Sequence, residues 1–217
     1  MRLRQTKPSN DRMQFDSLDR DGYMILPNAL DQTGRTLVLD RIGSLLETAK
    51  SEPAWKTGGT LHLDLPNEDP AFAKIASHAP IAAAISHLLG PGYESPRISY
   101  RAPLPGFGAQ ALHRDHITPA RPGECRVATV IVALVAFSNE NGATRVMPGS
   151  QSIPDIGAPK QSGVPFKGER VIACAAGSAI VLNGHIFHSG MQNRSQSRRD
   201  ALQIVYVRKG ERYYASV

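Results

Sequence analysis

Two stretches of this chain carry side chains that could hold a metal ion. In the first, Gln110-Ala-Leu-His113-Arg-Asp115, an imidazole and a carboxylate stand two residues apart. Successive side chains of an extended strand alternate between faces, so positions i and i+2 point the same way and can grip one ion. The second, Gly184-His185-Ile-Phe-His188-Ser-Gly-Met-Gln-Asn193, adds imidazoles from far downstream. Two imidazoles and one carboxylate make the facial triad used by non-haem Fe(II) oxygenases, a ligand set that leaves coordination positions open. His-x-Asp spacing also arises by chance, and His62-Leu-Asp64 repeats it. His62 and Asp64 are therefore a competing pair, and the surroundings must decide between them.

Those side chains need a frame. Residues 1–12 are polar and charged and read as a frayed tail. Residues 13–92 read as a helical support region: a short helix over Asp16–Asp21 closed by Gly22, then a strand Tyr23–Leu26 stopped by Pro27. Asp31 is placed to cap a helix running to about Lys50, with Leu37, Val38, Leu39, Ile42, Leu45 and Leu46 near helical period. A loop and a strand at Leu61–Leu65 follow, and then a helical region from Pro70 to Leu89, stopped by Gly90-Pro-Gly92. His78 and His87 in that region read as solvent-facing or capping residues.

From residue 93 to about 209 the pattern changes to short strands punctuated by Gly and Pro, the signature of a sandwich or barrel. Strands are expected at 97–101, 111–115, 127–137, 144–147, 170–174, 178–182, 185–188 and 201–208. The run Val127–Phe137 is apolar on both faces, which suits a central strand covered by the helices. The plan is α+β, a double-stranded β-helix or jelly roll with the N-terminal helices packed on one sheet, in a single domain.

Composition narrows the function classes. The chain has 217 residues, enough to bury roughly 70% of its unfolded surface without staples. Cys125 and Cys174 define no disulfide framework and have no nucleophile motif beside them, and no apolar run resembles a signal peptide or a membrane span. A cytoplasmic, reduced setting is expected, with no membrane partner. The formal net charge of +6 invites a nucleic-acid reading, but only 6% of residues are aromatic and no stacking platform is visible, so no nucleic-acid partner is expected.

The motifs taken together resemble the phytanoyl-CoA dioxygenase family of Fe(II)- and 2-oxoglutarate-dependent oxygenases, over nearly the whole length. Asp21-Gly-Tyr-Met-Ile-Leu-Pro27 resembles the family's first strand, and Gln110–Asp115 its first metal motif. Asn139-Glu-Asn-Gly-Ala-Thr-Arg-Val-Met-Pro-Gly-Ser150 is similar to its Glu-Asn-Gly followed by Pro-Gly-Ser-His, with Gln151 standing where that histidine usually falls. His188-Ser-Gly-Met-Gln-Asn193 through Arg199 resembles the segment that closes the site.

The resemblance implies that His113, Asp115 and His188 hold iron. If residues 185–188 are extended, His185 and His188 face opposite sides, and the family motif selects His188; a bulge would let His185 serve instead. The resemblance places the 2-oxoglutarate arginine at Arg199, whose planar fork can clasp a carboxylate through two hydrogen bonds, with Arg198 as the neighbouring alternative. Gln110 and Thr144 fall where relatives place donors to the co-substrate. Asp115 is intact, so the halogenase variant does not apply.

The implied reaction is hydroxylation of an unactivated C–H of a small molecule, such as a specialised metabolite, using dioxygen. Tyr100, Arg101, Trp55 and His62 are candidates to contact substrate. The chain ends at Val217, soon after the last expected strand, so a partner subunit in a homodimer is expected to help cover the site. Two other readings stay open: a non-redox, cupin-like metal site, and an inactive binding module on the same barrel.

Overall fold

The computed structural model describes residues 15–49, 55–56, 59–116, 118, 120–121 and 123–211, so the expected tail at 1–12 lies outside the described residues. Helix α1 (Asp16–Asp21) stops at Gly22, whose left-handed φ of 78° lets its N–H return to the Leu18 carbonyl. Strand β1 (Tyr23–Leu26) leads to α2 (Gln32–Thr48), capped by the Asp31 carboxylate, which accepts from Gly34 N at 2.7 Å. Two strands follow, β2 (Trp55–Lys56) and β3 (Thr60–Leu65).

The helical region expected from Pro70 to Leu89 is two helices, α3 (Pro70–Ala76) and α4 (Ala79–Leu89). Pro80 is the reason: within one continuous helix it would lack the N–H owed to the carbonyl of Ala76 and its ring would clash there. The chain breaks at Ser77 and His78 and restarts with Pro80 in a first turn, where no N–H is required.

The remaining strands are β4 (Arg97–Pro103), β5 (Val127–Ala133), β6 (Thr144–Val146), β7 (Arg170–Val171), β8 (Ala179–Asn183), β9 (His188–Gly190) and β10 (Ala201–Val207). They form two antiparallel sheets, a large one in the order β1-β8-β5-β10-β4-β3-β2 and a small one in the order β7-β6-β9. This is the expected jelly roll. Strand β5 lies centrally between β8 and β10, pairing with β10 from Ala133↔Ala201 to Val127↔Val207.

Alternation assigns the faces of the large sheet. Ile98, Tyr100 and Ala102 of β4, Val130 and Val132 of β5, and Leu202, Ile204 and Tyr206 of β10 pack against the helices with Val38, Ile42, Phe72, Ile81 and Ile85. Each valine, leucine, isoleucine or phenylalanine among them contributes about 1.5–3 kcal/mol when fully buried. The opposite face of β1, β5 and β8 packs on the small sheet through Ile180, Leu182, Val146, Ile172 and Phe137. The site sits between the sheets, at the end of that second core.

Two expected strands are not strands. Residues 111–115 make only an isolated bridge at His113, and residues 184–187 form a turn, so β9 begins at His188. The turn passes so close to β5 that a Cβ on Gly184 would lie 2.6 Å from the Val127 carbonyl oxygen. Only glycine fits there, and it leaves the Gly184 carbonyl free to accept from Asp115 N at 2.9 Å and His116 N at 3.1 Å.

Candidate metal centre

Three segments bring the candidate ligands together. His113 and His188 lie directly opposite each other and exchange both backbone hydrogen bonds at 2.9 Å, so their rings stand side by side with centroids 4.6 Å apart. The bond from Asp115 N to Gly184 then turns the carboxylate into the same space. One ligand atom from each of His113, Asp115 and His188 lies within 4.8 Å of the others, the one such cluster of three among the described residues.

The histidines are oriented for coordination. His113 Nδ1 donates to the Ala111 carbonyl at 2.9 Å and His188 Nδ1 to the Ile186 carbonyl at 3.0 Å, which leaves Nε2 of each ring as a lone-pair donor. Burial, and then the neighbouring His188, push His113 down to about 4, so its imidazole is neutral at physiological pH. Asp115 is 3% exposed, and its Oδ2 accepts from the Thr129 hydroxyl at 2.5 Å. That donor lies on the central strand β5 and was not singled out from the sequence. The available signal was a lone hydroxyl at an inward position of an apolar strand.

Histidine 185 is at the same end of the chain's turn but points elsewhere. Its ring packs on His116, its Nδ1 donates to Thr118 O at 2.7 Å, and its Nε2 accepts from Arg126 N at 3.1 Å. The reason is the turn over residues 184–187, not the strand alternation expected there. His62 and Asp64 approach each other at 3.2 Å, but the Asp64 side chain is 90% exposed and no third ligand joins them among the described residues.

A cavity of about 120 Å³ opens beside the three ligand atoms, lined by Gln110, Thr144, Arg199, Arg101, Ile131 and Gln203. Arg199 precedes β10, buried beneath Phe137, whose ring centroid lies 4.5 Å from the guanidinium carbon. Its Nε has no hydrogen-bond partner, and no carboxylate pairs with it among the described residues. Burial lowers its pKa to about 10. A buried cation left this way is costly unless an anion completes it. Arg198, the alternative, faces outward and pairs with Asp200 at 2.7 Å.

Gln110 and Thr144 lie on the cavity wall. The Gln110 side-chain oxygen accepts from Gly190 N at 2.9 Å, so its amide NH2 is the group left to donate. Arg145 and Gly163 N hold the Gln110 carbonyl at 3.2 Å each. Asn193 builds the turn before Arg199, its side chain bonding Pro103 O at 3.0 Å and Ser197 O at 2.8 Å. Of the substrate-contact candidates, Arg101 lines this cavity and His62 a neighbouring one. Tyr100 does not: strand alternation sends it into the helix-side core, where its hydroxyl donates to Asp200. The Trp55 side chain lies outside what is described.

The donor set suits a divalent transition metal with mixed imidazole and carboxylate preference, and the unpaired Arg199 suits a carboxylate ligand beside it. The family described as "Phytanoyl-CoA dioxygenase (PhyH)" matches residues 18–201. "Dioxygenase trt7" of Aspergillus terreus is 37% identical over 111 residues, covering 48% of this chain and 37% of that protein. "Dioxygenase andF" of Emericella variicolor is 26% identical over 213 residues, covering 88% of this chain and 71% of that protein. The chain thus matches well under half the length of trt7 and similar curated relatives.

Among solved structures, HygX from Streptomyces hygroscopicus with nickel and 2-oxoglutarate bound superposes with a TM-score of 0.74 at 15% identity, covering 95% of this chain and 90% of HygX. The non-heme alpha ketoglutarate dependent carbocyclase SnoK, from nogalamycin biosynthesis, gives 0.74 at 18% identity, covering 98% and 91%. At such identities the likeness is one of fold.

Proposed function

The chain belongs to the phytanoyl-CoA dioxygenase family of Fe(II)- and 2-oxoglutarate-dependent oxygenases, and on that premise we propose that it hydroxylates a C–H bond of a small molecule. His113, Asp115 and His188 hold Fe(II), and Arg199, Gln110 and Thr144 hold 2-oxoglutarate. The bound metal and co-substrate supply dioxygen activation: 2-oxoglutarate is converted to succinate and carbon dioxide, with one oxygen atom going to succinate and the other to the substrate.

The chain's own residues position and shield. Hydrogen bonds from Nδ1 to backbone carbonyls hold both imidazoles with Nε2 forward. Thr129 fixes the Asp115 carboxylate from the side away from solvent. Arg199 receives the distal carboxylate of 2-oxoglutarate through its fork, while the Gln110 amide and the Thr144 hydroxyl donate to the co-substrate's oxygens. Phe137, Ile131 and Ala201 keep water from that carboxylate pair, where a low dielectric strengthens it.

The observation that carries this reading is the buried Arg199 cation without a protein anion, beside two Nε2 atoms and a carboxylate. A non-redox cupin-like site would have no use for that arginine, and an inactive module would have no reason to keep it desolvated. Hydroxylation is the outcome proposed because it needs no protein group beyond those that hold the metal and co-substrate and orient one C–H. It asks only that one C–H be held near the metal. The test is anaerobic addition of Fe(II) and 2-oxoglutarate, which should produce a weak visible charge-transfer band. No band at saturating ligand would overturn the proposal.

A further inference from the structure

The inner face of the small sheet carries the site. Thr144 and His188 line the cavity there, and Val146 packs into the core beside it. Arg145 stands between Thr144 and Val146 on β6, so alternation turns its side chain to the outer face, opposite Ser189 of β9. A charged group on an outer face is ordinarily solvated, yet Arg145 is 2% exposed.

Its nitrogens reach separate parts of the chain. Nε donates to the Ser189 hydroxyl at 2.7 Å, and Nη1 donates to the Val164 carbonyl at 2.7 Å and to the Glu169 carboxylate at 2.9 Å. Nη2 donates to the Gln110 carbonyl at 3.2 Å. Glu169 Oε2 also accepts from Phe166 N at 3.1 Å, so the segment 163–169 is folded onto the guanidinium. Gln110 is thereby gripped from two sides. Gly190 takes its N–H at 3.0 Å and donates to its side-chain oxygen at 2.9 Å, while Arg145 and Gly163 hold its carbonyl. What is left to face the cavity is the amide NH2.

Stability alone does not account for this arrangement. A buried ion pair gains little beyond its own desolvation cost, and an apolar side chain of similar volume would cover the sheet as well. An apolar residue or a lysine lacks a planar fork with donors in fixed directions, which can hold several segments in one geometry. We propose that Arg145, with Glu169 as its counter-ion, is a positioning residue for 2-oxoglutarate, holding Gln110 from behind so that its side-chain amide meets the co-substrate. The proposal rests on the oxygenase reading and deepens it. Arg145 is not among the described residues lining the cavity, so it acts through Gln110 and not by contact. The metal ligands are held independently, since His188 is fixed by its backbone bonds to His113 and by Nδ1 on the Ile186 carbonyl.

The test is a double-mutant cycle on 2-oxoglutarate affinity, read anaerobically by calorimetry in protein loaded with Co(II). Arg145→Lys keeps the charge beside Glu169 and loses the fork. It should weaken 2-oxoglutarate about tenfold, the scale of one hydrogen bond to a charged group, while Co(II) affinity stays within a few-fold. In a Gln110→Ala background the same substitution should cost less than about threefold, because the group that it positions is already gone. Arg145→Met combined with Glu169→Gln leaves no unpaired charge under the segment, and should show the same loss of 2-oxoglutarate in a protein that still melts cooperatively.

Wild-type 2-oxoglutarate affinity in a folded Arg145→Lys protein would overturn the proposal. A loss that persists undiminished in Gln110→Ala would do the same, since Arg145 would then act on the packing in general, as would an equal loss of Co(II) affinity. Failure of the wild type to take up Co(II) or 2-oxoglutarate would bring down the oxygenase reading and this proposal with it, whereas normal wild-type uptake with no effect of the Arg145 substitutions removes the proposal alone.

Discussion

Thr129→Val removes one hydroxyl and keeps the shape of the side chain. The residue is fully buried on the central strand, and its hydroxyl is the side-chain donor to Asp115 Oδ2, at 2.5 Å. A hydrogen bond to a charged group contributes about 1.5–3 kcal/mol, and a buried acceptor that loses its donor bears the desolvation cost in full. The carboxylate would also be free to rotate away from the two Nε2 atoms. Outer partners of this kind typically alter metal affinity about 10–100-fold, which agrees with 1.5–3 kcal/mol at 1.4 kcal/mol per decade. Calorimetric titration of the metal-free protein with Co(II) should therefore show a dissociation constant raised about 10–100-fold in Thr129→Val, with Thr129→Ser close to wild type because it restores the donor. The melting temperature of the metal-free variant should fall by a few degrees, since about 1 kcal/mol corresponds to roughly 2–4 °C in a chain of this size. Wild-type Co(II) affinity in a folded Thr129→Val protein would refute the reasoning.

Other perturbations follow from the same geometry. Arg199→Lys keeps the charge but loses the fork, so anaerobic titration of the metal-loaded protein should show 2-oxoglutarate affinity lowered at least about tenfold while Co(II) affinity stays within a few-fold. His188→Ala should abolish stoichiometric Co(II) binding, whereas His185→Ala should retain it; the reverse order in calorimetry would exchange their roles. His185, held near 4 chiefly by burial, also predicts acid sensitivity. Its folded pKa lies below the unfolded value of about 6.5, so stability present above pH 6.5 is lost as pH falls toward 4, at most about 3 kcal/mol. Urea unfolding of His185→Gln should show a shallower loss between pH 7 and pH 5. Gly184→Ala would press a Cβ onto the Val127 carbonyl oxygen, and a drop of more than about 2 kcal/mol in urea stability is expected together with weakened Co(II) binding.

Much of the frame was legible because its signals are local. Asp31 before an amphipathic run, Gly22 after a short one, and an apolar stretch at Val127–Phe137, of which Val127–Ala133 is the strand, each act within a few residues of where they stand. The helix break at Ser77–His78 was legible too, since Pro80 carries it, but the apolar periodicity on either side masked it. The strands expected over 111–115 and 185–188 were not formed. A β-pattern in sequence does not reveal whether a partner strand with free backbone groups lies alongside.

By its own residues the chain determined the ligand types, the His-x-Asp spacing, the late His188 motif and the arginine eleven positions beyond it, because coordination and carboxylate recognition depend on side-chain chemistry. Folding decided which of these groups meet. Facing of His113 and His188, rotation of His185 toward Thr118, and selection of Thr129 as the carboxylate's anchor all depend on pairings between separate segments, the nearest of them 14 residues apart. Such pairings are set by which strands share a sheet and how closely Gly184 lets the chain approach Val127, quantities that no local spacing encodes.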